Sequence, residues 1–280
     1  LLHPEVMRRH PIFHTDQLPM FRNRQYSFLP PRRLKEDKLS EDHRNLASSA
    51  QKVIEDALFA IIKKYKKDED LYLCLAGGVA ENSVANGKIA LSKLFRDIYV
   101  APACGDAGTA LGAALYVATQ RGYRFSRAED NKWGPLYTNQ YIKRVLSSNC
   151  IKYGYVANIE EEVARLLEEQ NIIAWFQGRM EFGPRALGAR SLIADPSHKR
   201  MKQRVNQIKK REQFRPFAPS VLDEHAISLF DIYQSSPFMS FTLKTTDVGM
   251  KKVAAAIHVD FTGRLQTVRN DGSKYRKMIE

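Results

Sequence analysis

The sequence predicts a protein of the α/β class, and three observations support this class. Short apolar runs end at glycine or proline, as buried strands do, and they alternate with longer segments whose apolar residues recur at helical spacing. Strand, helix, strand and helix follow one another over residues 71–119, an order typical of parallel strands covered by helices. A second series of elements follows a polar stretch at residues 121–134, so the 280 residues are expected to form two domains.

The individual elements follow from the same patterns. Residues 1–40 contain prolines without a sustained period and are expected to be irregular, whereas Leu46–Ile62 has the spacing of an amphipathic helix. The first series is predicted as strands at 71–76 and 97–102 and helices at 83–94 and 107–119. The second series is predicted as helices at 159–170 and 198–211 and strands at 171–177, 220–222, 239–243 and 265–268. The predicted domains are residues 1–125 and 151–280, joined by a linker at 126–150.

The net charge narrows the class of partner, and the cysteine content bears on disulfides, zinc sites and the cellular compartment. Lysine and arginine total 44 against 31 aspartate and glutamate, and the net charge of +13 favours anionic partners. Many of these lysines also fit solvated helix faces, so we do not expect a nucleic acid to be the partner. The sequence has no apolar run of the roughly 20 residues that span a bilayer and no signal-peptide pattern. Three cysteines without a CxxC pair argue against disulfides and structural zinc, which fits a cytoplasmic protein.

Two glycine-containing turns are candidate binding sites. Gly77 and Gly78 follow a predicted strand and precede a helix, where backbone N–H groups bind phosphate; a tight turn that needs positive φ is the alternative. Asp106 stands between glycines at the end of the next predicted strand. It either caps the following helix or ligates a metal, and the pattern leaves both interpretations open.

Basic residues in three segments form the strongest candidate site. Arginine binds phosphate through two parallel hydrogen bonds, and lysine adds a point charge. Arg215 lies between Phe214 and Pro216-Phe217, an apolar frame that is expected to fix its side chain. We expect five basic side chains to converge on one anion: Arg185, Arg190, Lys209, Arg215 and Arg264. The alternative is that these cations belong to ion networks with Glu181, Asp195 and Glu212.

Five sequence blocks, in this order, closely resemble the O-carbamoyltransferases, which include nodulation-factor and antibiotic-tailoring enzymes. The blocks are LAGGVAENSVANGKI, APACGDAGTALGAALY, GRMEFGPRALGARSLIADP, IKKREQFRPFAPSV and HVDFTGRLQTV. The resemblance covers the chain from about Leu46 to its last residue. It implies the second half of an actin-like domain (the sugar kinase/Hsp70 fold), followed by an α+β YrdC-like domain.

The resemblance also implies a reaction and roles for the candidate residues. The second domain would make carbamoyl-adenylate from carbamoyl phosphate and ATP, with Mg²⁺, and the actin-like domain would pass the carbamoyl group to a hydroxyl of a small molecule or sugar. The five basic residues match family positions that hold carbamoyl phosphate and the nucleotide phosphates. Gly77, Gly78 and Asn82 match the nucleotide loop, and Asp106 matches a metal ligand usually assigned to Fe²⁺.

The sequence also departs from the family pattern. The family's HxxxH metal motif would lie upstream; His10 and His14 have the right spacing, but Pro11 separates them and we interpret them as unrelated. A family segment of the type Asn-Thr-Ser-Phe-Asn is also not found. Because the sequence shows one half of the actin-like domain and one metal carboxylate without its histidines, we expect no complete transfer from this polypeptide. We do expect it to bind an anion, because the basic residues all lie within it. The sequence does not identify the acceptor, and a homo-oligomer remains open.

Three related interpretations compete with this one. A threonylcarbamoyl-type tRNA-modifying enzyme would share both folds and use the positive charge on RNA, but the order of the blocks favours the O-carbamoyltransferases. A hydrogenase-maturation carbamoyltransferase would carry zinc-finger cysteines, which this sequence lacks. A catalytically inactive nucleotide-binding module is the non-enzymatic alternative.

Overall fold

A computed structural model describes residues 37–280. The chain divides into two compact units, with the boundary between residues 68 and 69. In the first unit the structure describes one long helix, α1 (Glu41–Tyr65). Ser40 caps this helix by accepting a hydrogen bond from the His43 N–H, and acidic residues occupy its first turn. The predicted helix at 46–62 is confirmed and is about one turn longer at its start.

The second unit begins with the predicted alternation of strand and helix. Strands β1 (Tyr72–Leu75) and β2 (Asp97–Val100) pair in parallel, with Tyr72 opposite Asp97. Helix α2 (Ser83–Leu91) connects them, and α3 (Thr109–Gln120) follows β2. The predicted parallel layer is therefore confirmed, with boundaries that differ by a few residues.

Two elements of the middle of the chain are not among those predicted from the sequence. Helix α4 (Asn139–Ser148) lies within the stretch that we treat as a linker, where Thr138 caps it through the Tyr141 N–H. Helix α5 (Ile159–Glu168) and strand β3 (Ile172–Phe176) occur as predicted. Strand β3 pairs antiparallel with β4 (Arg190–Ala194), which was not predicted because it begins with a charged residue directly after a glycine-rich loop.

Residues 201–280 form short elements around two small sheets. These elements are α6 (Met201–Ile208), β5 (Ser220–Leu222), α7 (Ala226–Leu229), β6 (Thr242–Lys244), α8 (Asp247–Lys252), β7 (Thr262–Arg264), β8 (Gln266–Val268) and α9 (Lys274–Ile279). Strand β5 runs parallel to β8, and β6 runs antiparallel to β7. The prediction of a strand at 239–243 is wrong at its start, because Met239 adopts a positive φ of 54°. The basic helix is shorter than predicted, since Lys210 turns the chain with a φ of 48°.

Buried contacts position these elements within the second unit. Val163, Trp175, Val268, Tyr275 and Met278 form one apolar cluster that joins α5, β3, β8 and α9. Helix α2 packs on β6 so closely that a Cβ on Gly87 would lie 2.0 Å from the Thr242 carbonyl oxygen.

The structure is thus a mixed α/β protein with small sheets. None of the helices formed by residues 37–280 combines the length and the apolar character needed to cross a membrane.

Candidate functional site

The segment from Glu181 to Arg190, here called the arginine arch, carries two of the five predicted basic residues. Its sequence, EFGPRALGAR, forms no regular structure before β4, and glycine supplies positive φ values of 120° at Gly183 and 98° at Gly188. The side chain of Glu181 is fully buried beneath the arch and pairs with Arg190, whose Nε lies 3.5 Å from Glu181 Oε2.

Arg185 projects from the arch toward the first part of the second unit. Its Nη1 donates a hydrogen bond of 3.0 Å to the Phe238 carbonyl, and its Nη2 donates one of 3.1 Å to the Glu81 carbonyl. Burial lowers the pKa of Arg185, although the nearby Glu81 carboxylate partly opposes this effect. Among residues 37–280, no carboxylate forms an ion pair with it, so a bound anion would offset the cost of its burial.

Arg264, at the end of β7, is the most strongly perturbed cation of the candidate set. Burial, followed by repulsion from Arg185 and Arg211, lowers its pKa to about 10. None of the groups that shift the pKa of Arg264 is a carboxylate. The structure therefore brings Arg185 and Arg264 together, although they are separated by almost 80 positions in the sequence.

Arg211 completes this cluster and was not among the five predicted residues. Its Nε donates to the buried Asn206 Oδ1 at 2.6 Å, its Nη2 donates to the Pro216 carbonyl at 3.2 Å, and its guanidinium lies 4.4 Å from the Phe217 ring centroid. Burial and the neighbouring Arg215 lower its pKa. We call Arg185, Arg211 and Arg264 the arginine cluster. The only sequence signal for Arg211 was its place in the same basic segment as Lys209 and Arg215.

The other three predicted cations are arranged differently. The apolar frame proposed for Arg215 holds Arg211 instead: Phe214 is 61% exposed, and Arg215 points outward to an ion pair of 2.7 Å with Glu212. Arg190 pairs with Glu181 and donates to the Gly183 carbonyl at 3.1 Å. Lys209 is exposed at the end of α6. Ion networks thus describe Arg190 and Arg215, whereas they do not describe Arg185 and Arg264.

The predicted nucleotide loop lies beside Arg185. Gly77 has a φ of 91°, its N–H donates to the Cys104 carbonyl at 2.7 Å, and it precedes a 3-10 turn at Gly78–Glu81. A Cβ on Gly78 would meet no atom within 4 Å, so this backbone borders open space. Asn82 caps α2 by accepting a hydrogen bond of 3.1 Å from the Ala85 N–H. The alternative interpretation, a turn that needs positive φ, is confirmed at Gly77, whereas phosphate binding at this exposed backbone stays a prediction.

Asp106 is exposed at the start of a 3-10 turn that leads into α3. Its backbone carbonyl accepts a hydrogen bond from the Thr109 N–H. In the part of the chain that the structure describes, no three His, Cys, Asp or Glu side chains lie close enough to hold a metal ion. The residues around Asp106 therefore do not by themselves fit a metal centre, and we assign no chemical step to a metal here.

His258 adjoins the arginine cluster. Its Nδ1 lies 3.2 Å from Thr262 Oγ1, while its Nε2 is buried without a hydrogen-bond partner in the described range. Burial is the main cause that lowers its pKa; Arg264 and Lys202 lower the pKa further, and Asp260 opposes them. An imidazole whose pKa is lowered and whose buried Nε2 has no hydrogen-bond partner in the described range thus lies near Arg264.

A cavity of about 480 Å³ lies next to this site but contains none of the five predicted residues. Its walls come from residues around 127–132, 234–238 and 266–275. Its lining carries five carboxylates against three cations, and two of the cations are paired: Arg127 with Asp97 at 2.5 Å and Arg269 with Glu129 at 2.6 Å. The arginine cluster is therefore the better candidate for binding an anion.

Comparison with known proteins connects these residues to a family. Models of the carbamoyltransferase N-terminus and C-terminus match residues 10–115 and 164–280. The nodulation protein NolO of Bradyrhizobium diazoefficiens is 40% identical over 239 residues, covering 82% of this chain and 44% of that protein.

Two further relatives agree with this match. The nodulation protein NolNO of Sinorhizobium fredii is 39% identical over 254 residues, covering 86% of this chain and 37% of that protein. Nodulation protein U of Sinorhizobium fredii is 34% identical over 211 residues, covering 74% and 36%. The chain spans less than half the length of these curated relatives. On both family models and on these identities, the chain belongs to the carbamoyltransferase family.

Proposed function

We propose that this chain takes part in ATP-dependent O-carbamoyl transfer and that its arginine cluster binds the phosphate groups of carbamoyl phosphate and ATP. The carbamoyl group would pass through carbamoyl-adenylate to a hydroxyl of a small molecule or sugar. Family membership supports the transfer of a carbamoyl group. The adenylate and the acceptor rest on the resemblance described above.

One observation carries this proposal: Arg264 is half-buried near two other arginines, and no carboxylate is among the groups that shift its pKa. Such an arrangement is unfavourable in the unliganded protein, because burial and repulsion both oppose the charged state. It becomes favourable when an anion with several negative charges binds between the guanidinium groups. Carbamoyl phosphate and the triphosphate of ATP are anions of this kind.

The same cations would assist the chemistry. Water would cleave carbamoyl phosphate to carbamate and phosphate. A carbamate oxygen would then attack the α-phosphorus of ATP, forming carbamoyl-adenylate and displacing pyrophosphate. Preorganised guanidinium groups would offset the repulsion between the two substrates and stabilise the charge that develops on pyrophosphate. Mg²⁺ would accompany ATP. The backbone at Gly77 and Gly78, adjacent to Arg185 through Glu81, would contact a nucleotide phosphate.

The proposal also includes the fold of each domain and a metal-binding role for Asp106. An actin-like fold for residues 1–125 is consistent with the parallel pair β1–β2, and a YrdC-like fold for residues 151–280 is consistent with the small sheets there. Asp106 would need co-ligands from outside residues 37–280 to hold Fe²⁺ or another divalent metal. Metal analysis of Asp106→Asn beside the unchanged protein tests that role directly.

Calorimetric titration tests the proposed anion site. Inorganic pyrophosphate, carbamoyl phosphate and ATP are each titrated into the unchanged protein, Arg264→Met and Arg165→Gln. Arg165 is an exposed arginine of α5, paired with Glu162 and Glu169, and serves as the charge-matched control. Arg264→Met should weaken binding about tenfold to a hundredfold, the range for loss of one charged hydrogen-bonding group. Equal affinities for Arg264→Met and Arg165→Gln would contradict the proposal.

A further inference from the structure

We infer that Glu181 is a positioning residue that holds the arginine arch so that Arg185 faces the anion. This inference rests on the proposed function, because it explains how Arg185, one of the residues proposed to bind the anion, is held in place. Glu181 does not extend into the arginine cluster; its side chain is fully buried. It would therefore act through the arch and not by touching the substrate.

The carboxylate of Glu181 closes the base of the arch. Its Oε1 accepts hydrogen bonds from the backbone N–H groups of Leu187 at 2.6 Å, Ala189 at 2.8 Å and Arg190 at 3.4 Å. Its Oε2 faces Arg190 Nε at 3.5 Å. A buried carboxylate is costly unless hydrogen bonds and a cation compensate it. Here the arch supplies the hydrogen bonds to Oε1 and the cation Arg190, while Oε2 accepts no hydrogen bond from the described residues. The residue that begins the arch thus fixes the residues that end it.

Other contacts hold the same base rigidly. The Trp175 indole N–H donates to the Gly188 carbonyl at 2.9 Å, and the Gln266 amide donates to the Leu187 carbonyl at 2.9 Å. The Gly188 N–H donates to Ser191 Oγ at 3.1 Å. These hydrogen bonds satisfy the backbone groups of the arch between Leu187 and Gly188, so its base has one defined conformation.

The tip of the arch is fixed from the opposite side. A Cβ on Gly183 would lie 2.6 Å from the carbonyl oxygen of Pro102, which follows β2. Only glycine can occupy this position without moving the arch away from that carbonyl. Arg185 lies between this contact and the base closed by Glu181. Two of its N–H groups donate to the Phe238 and Glu81 carbonyls, and its Nε is not used in these two bonds. A small shift of the base would move the guanidinium away from Arg264.

Glu181→Gln is the direct test of this role. Glutamine keeps an oxygen that accepts the Leu187 and Ala189 N–H groups but removes the negative charge opposite Arg190. Pyrophosphate binding is measured by calorimetry in the unchanged protein and in Arg185→Met, each with and without Glu181→Gln. Affinity should fall about tenfold in the unchanged background, since an angstrom-scale misplacement is costly. In the Arg185→Met background the fall should be about twofold or less, because the two residues act through one interaction.

Glu224→Gln is the matched control. Glu224 forms an ion pair of 2.5 Å with Arg276 on α9, so its replacement also removes a carboxylate that pairs with an arginine, but Arg276 hydrogen-bonds to Glu224, Glu280 and the Val268 carbonyl and not to the arch. This variant should keep the pyrophosphate affinity of the unchanged protein within about twofold, which is the additivity expected of distant sites. A similar loss of affinity in both variants would indicate a general effect of removing a paired carboxylate, whereas a positioning role affects only Glu181→Gln.

The outcomes separate this inference from the proposed function. Unchanged affinity in Glu181→Gln, or an equal loss with and without Arg185, would overturn the positioning role while Arg264→Met still weakens binding. Unchanged affinity in Arg264→Met would overturn the proposed function itself. If Glu181→Gln does not fold, Ser191→Ala removes a single hydrogen bond to the arch and enters the same cycle. Its affinity should fall about twofold to fivefold through Arg185, and no change would again contradict the inference.

Discussion

Burial lowers the pKa of Arg264 to about 10. The charge that would bind an anion at this site therefore lowers the stability of the unliganded protein. The unfolded chain holds the Arg264 proton more tightly than the folded protein does. The charged residue therefore destabilises the fold at every pH below about 10, and the penalty fades only as pH rises from there toward the ordinary arginine range. Residues that bind ligands often carry such a cost.

The first prediction follows from this penalty. Arg264→Met should raise the free energy of unfolding of the unliganded protein at pH 7 by about 1–3 kcal/mol, because each pKa unit corresponds to about 1.4 kcal/mol. The same variant should lose the extra stability that pyrophosphate gives to the unchanged protein. Urea denaturation with and without pyrophosphate measures both effects. A destabilised variant that still responds to pyrophosphate would contradict the prediction.

The second prediction distinguishes Arg211 from Arg215. Arg211 is held by Asn206 and Phe217 and faces Arg264, whereas Arg215 is exposed and paired with Glu212. Arg211→Met should weaken pyrophosphate binding about tenfold or more, and Arg215→Met about threefold or less, because an exposed ion pair is screened by solvent. Parallel titrations of the two variants measure the difference. The reverse order would restore Arg215 to the central role that its sequence context suggests.

For single residues, the sequence predicts which segments form the candidate site better than it predicts which residues within them face the anion. Arg185 and Arg264 were predicted from their glycine-rich and motif settings, and the structure brings them together. Arg211 was missed because the turn at Lys210, with its φ of 48°, decides which arginine lies over Phe217. The buried Glu181 was considered only as an ion-pair partner, since side-chain burial beneath a loop leaves no periodic signal.

Among the elements, the sequence predicts those that have a clear apolar pattern, although the burial expected of β1 is wrong, since Tyr72 and Cys74 are exposed. Strands β1 and β2 and helices α2 and α5 have apolar residues that stop at turns or recur at helical spacing. Helix α4 has a suitable pattern but lies in a polar, tyrosine-rich stretch in which no residue is buried. Strand β4 depends on its partner β3, because pairing and not local composition makes Arg190–Ala194 extended.

The third prediction concerns glycines in two helices. Gly87→Ala in α2 should destabilise the protein by about 1–2 kcal/mol, because the clash with the Thr242 carbonyl outweighs the roughly 1 kcal/mol gain in helix propensity. Gly112→Ala in α3 is the matched control, since its Cβ would meet no atom within 4 Å, and it should stabilise by about 0.5–1 kcal/mol. Urea denaturation of both variants measures the sign of each change in the free energy of unfolding. Stabilisation by Gly87→Ala would show that α2 and β6 have room to separate.

At the level of the second unit, contacts cross the boundary that we predict between the two domains. Asn86 in α2 is buried and donates to the Ser240 carbonyl at 3.1 Å, and Arg185 donates to the Glu81 carbonyl. Residues on both sides of positions 126–150 therefore build one site. The sequence could not predict this, because hydrogen bonds between a side chain and a distant carbonyl leave no pattern in either segment.

The net charge of +13 bears on the alternative in which the partner is RNA. Charge spread over a surface binds polyanions without requiring any single residue, whereas the arginine cluster depends on a few fixed guanidinium groups. Salt weakens both kinds of binding, but binding to RNA more steeply, because each neutralised phosphate releases a counterion. The two modes of anion binding are therefore separable by mutation and by salt.

The last prediction uses that difference. Arg264→Met should abolish most pyrophosphate binding while changing the affinity for bulk tRNA by about twofold or less, because one cation contributes little to delocalised binding. The control Arg165→Gln should leave both affinities nearly unchanged. Titrations at 50 and 200 mM salt should show a steeper decline for tRNA than for pyrophosphate. If Arg264→Met instead weakens tRNA and pyrophosphate binding equally, the two ligands share one site, and a tRNA-modifying carbamoyltransferase becomes the better description of this chain.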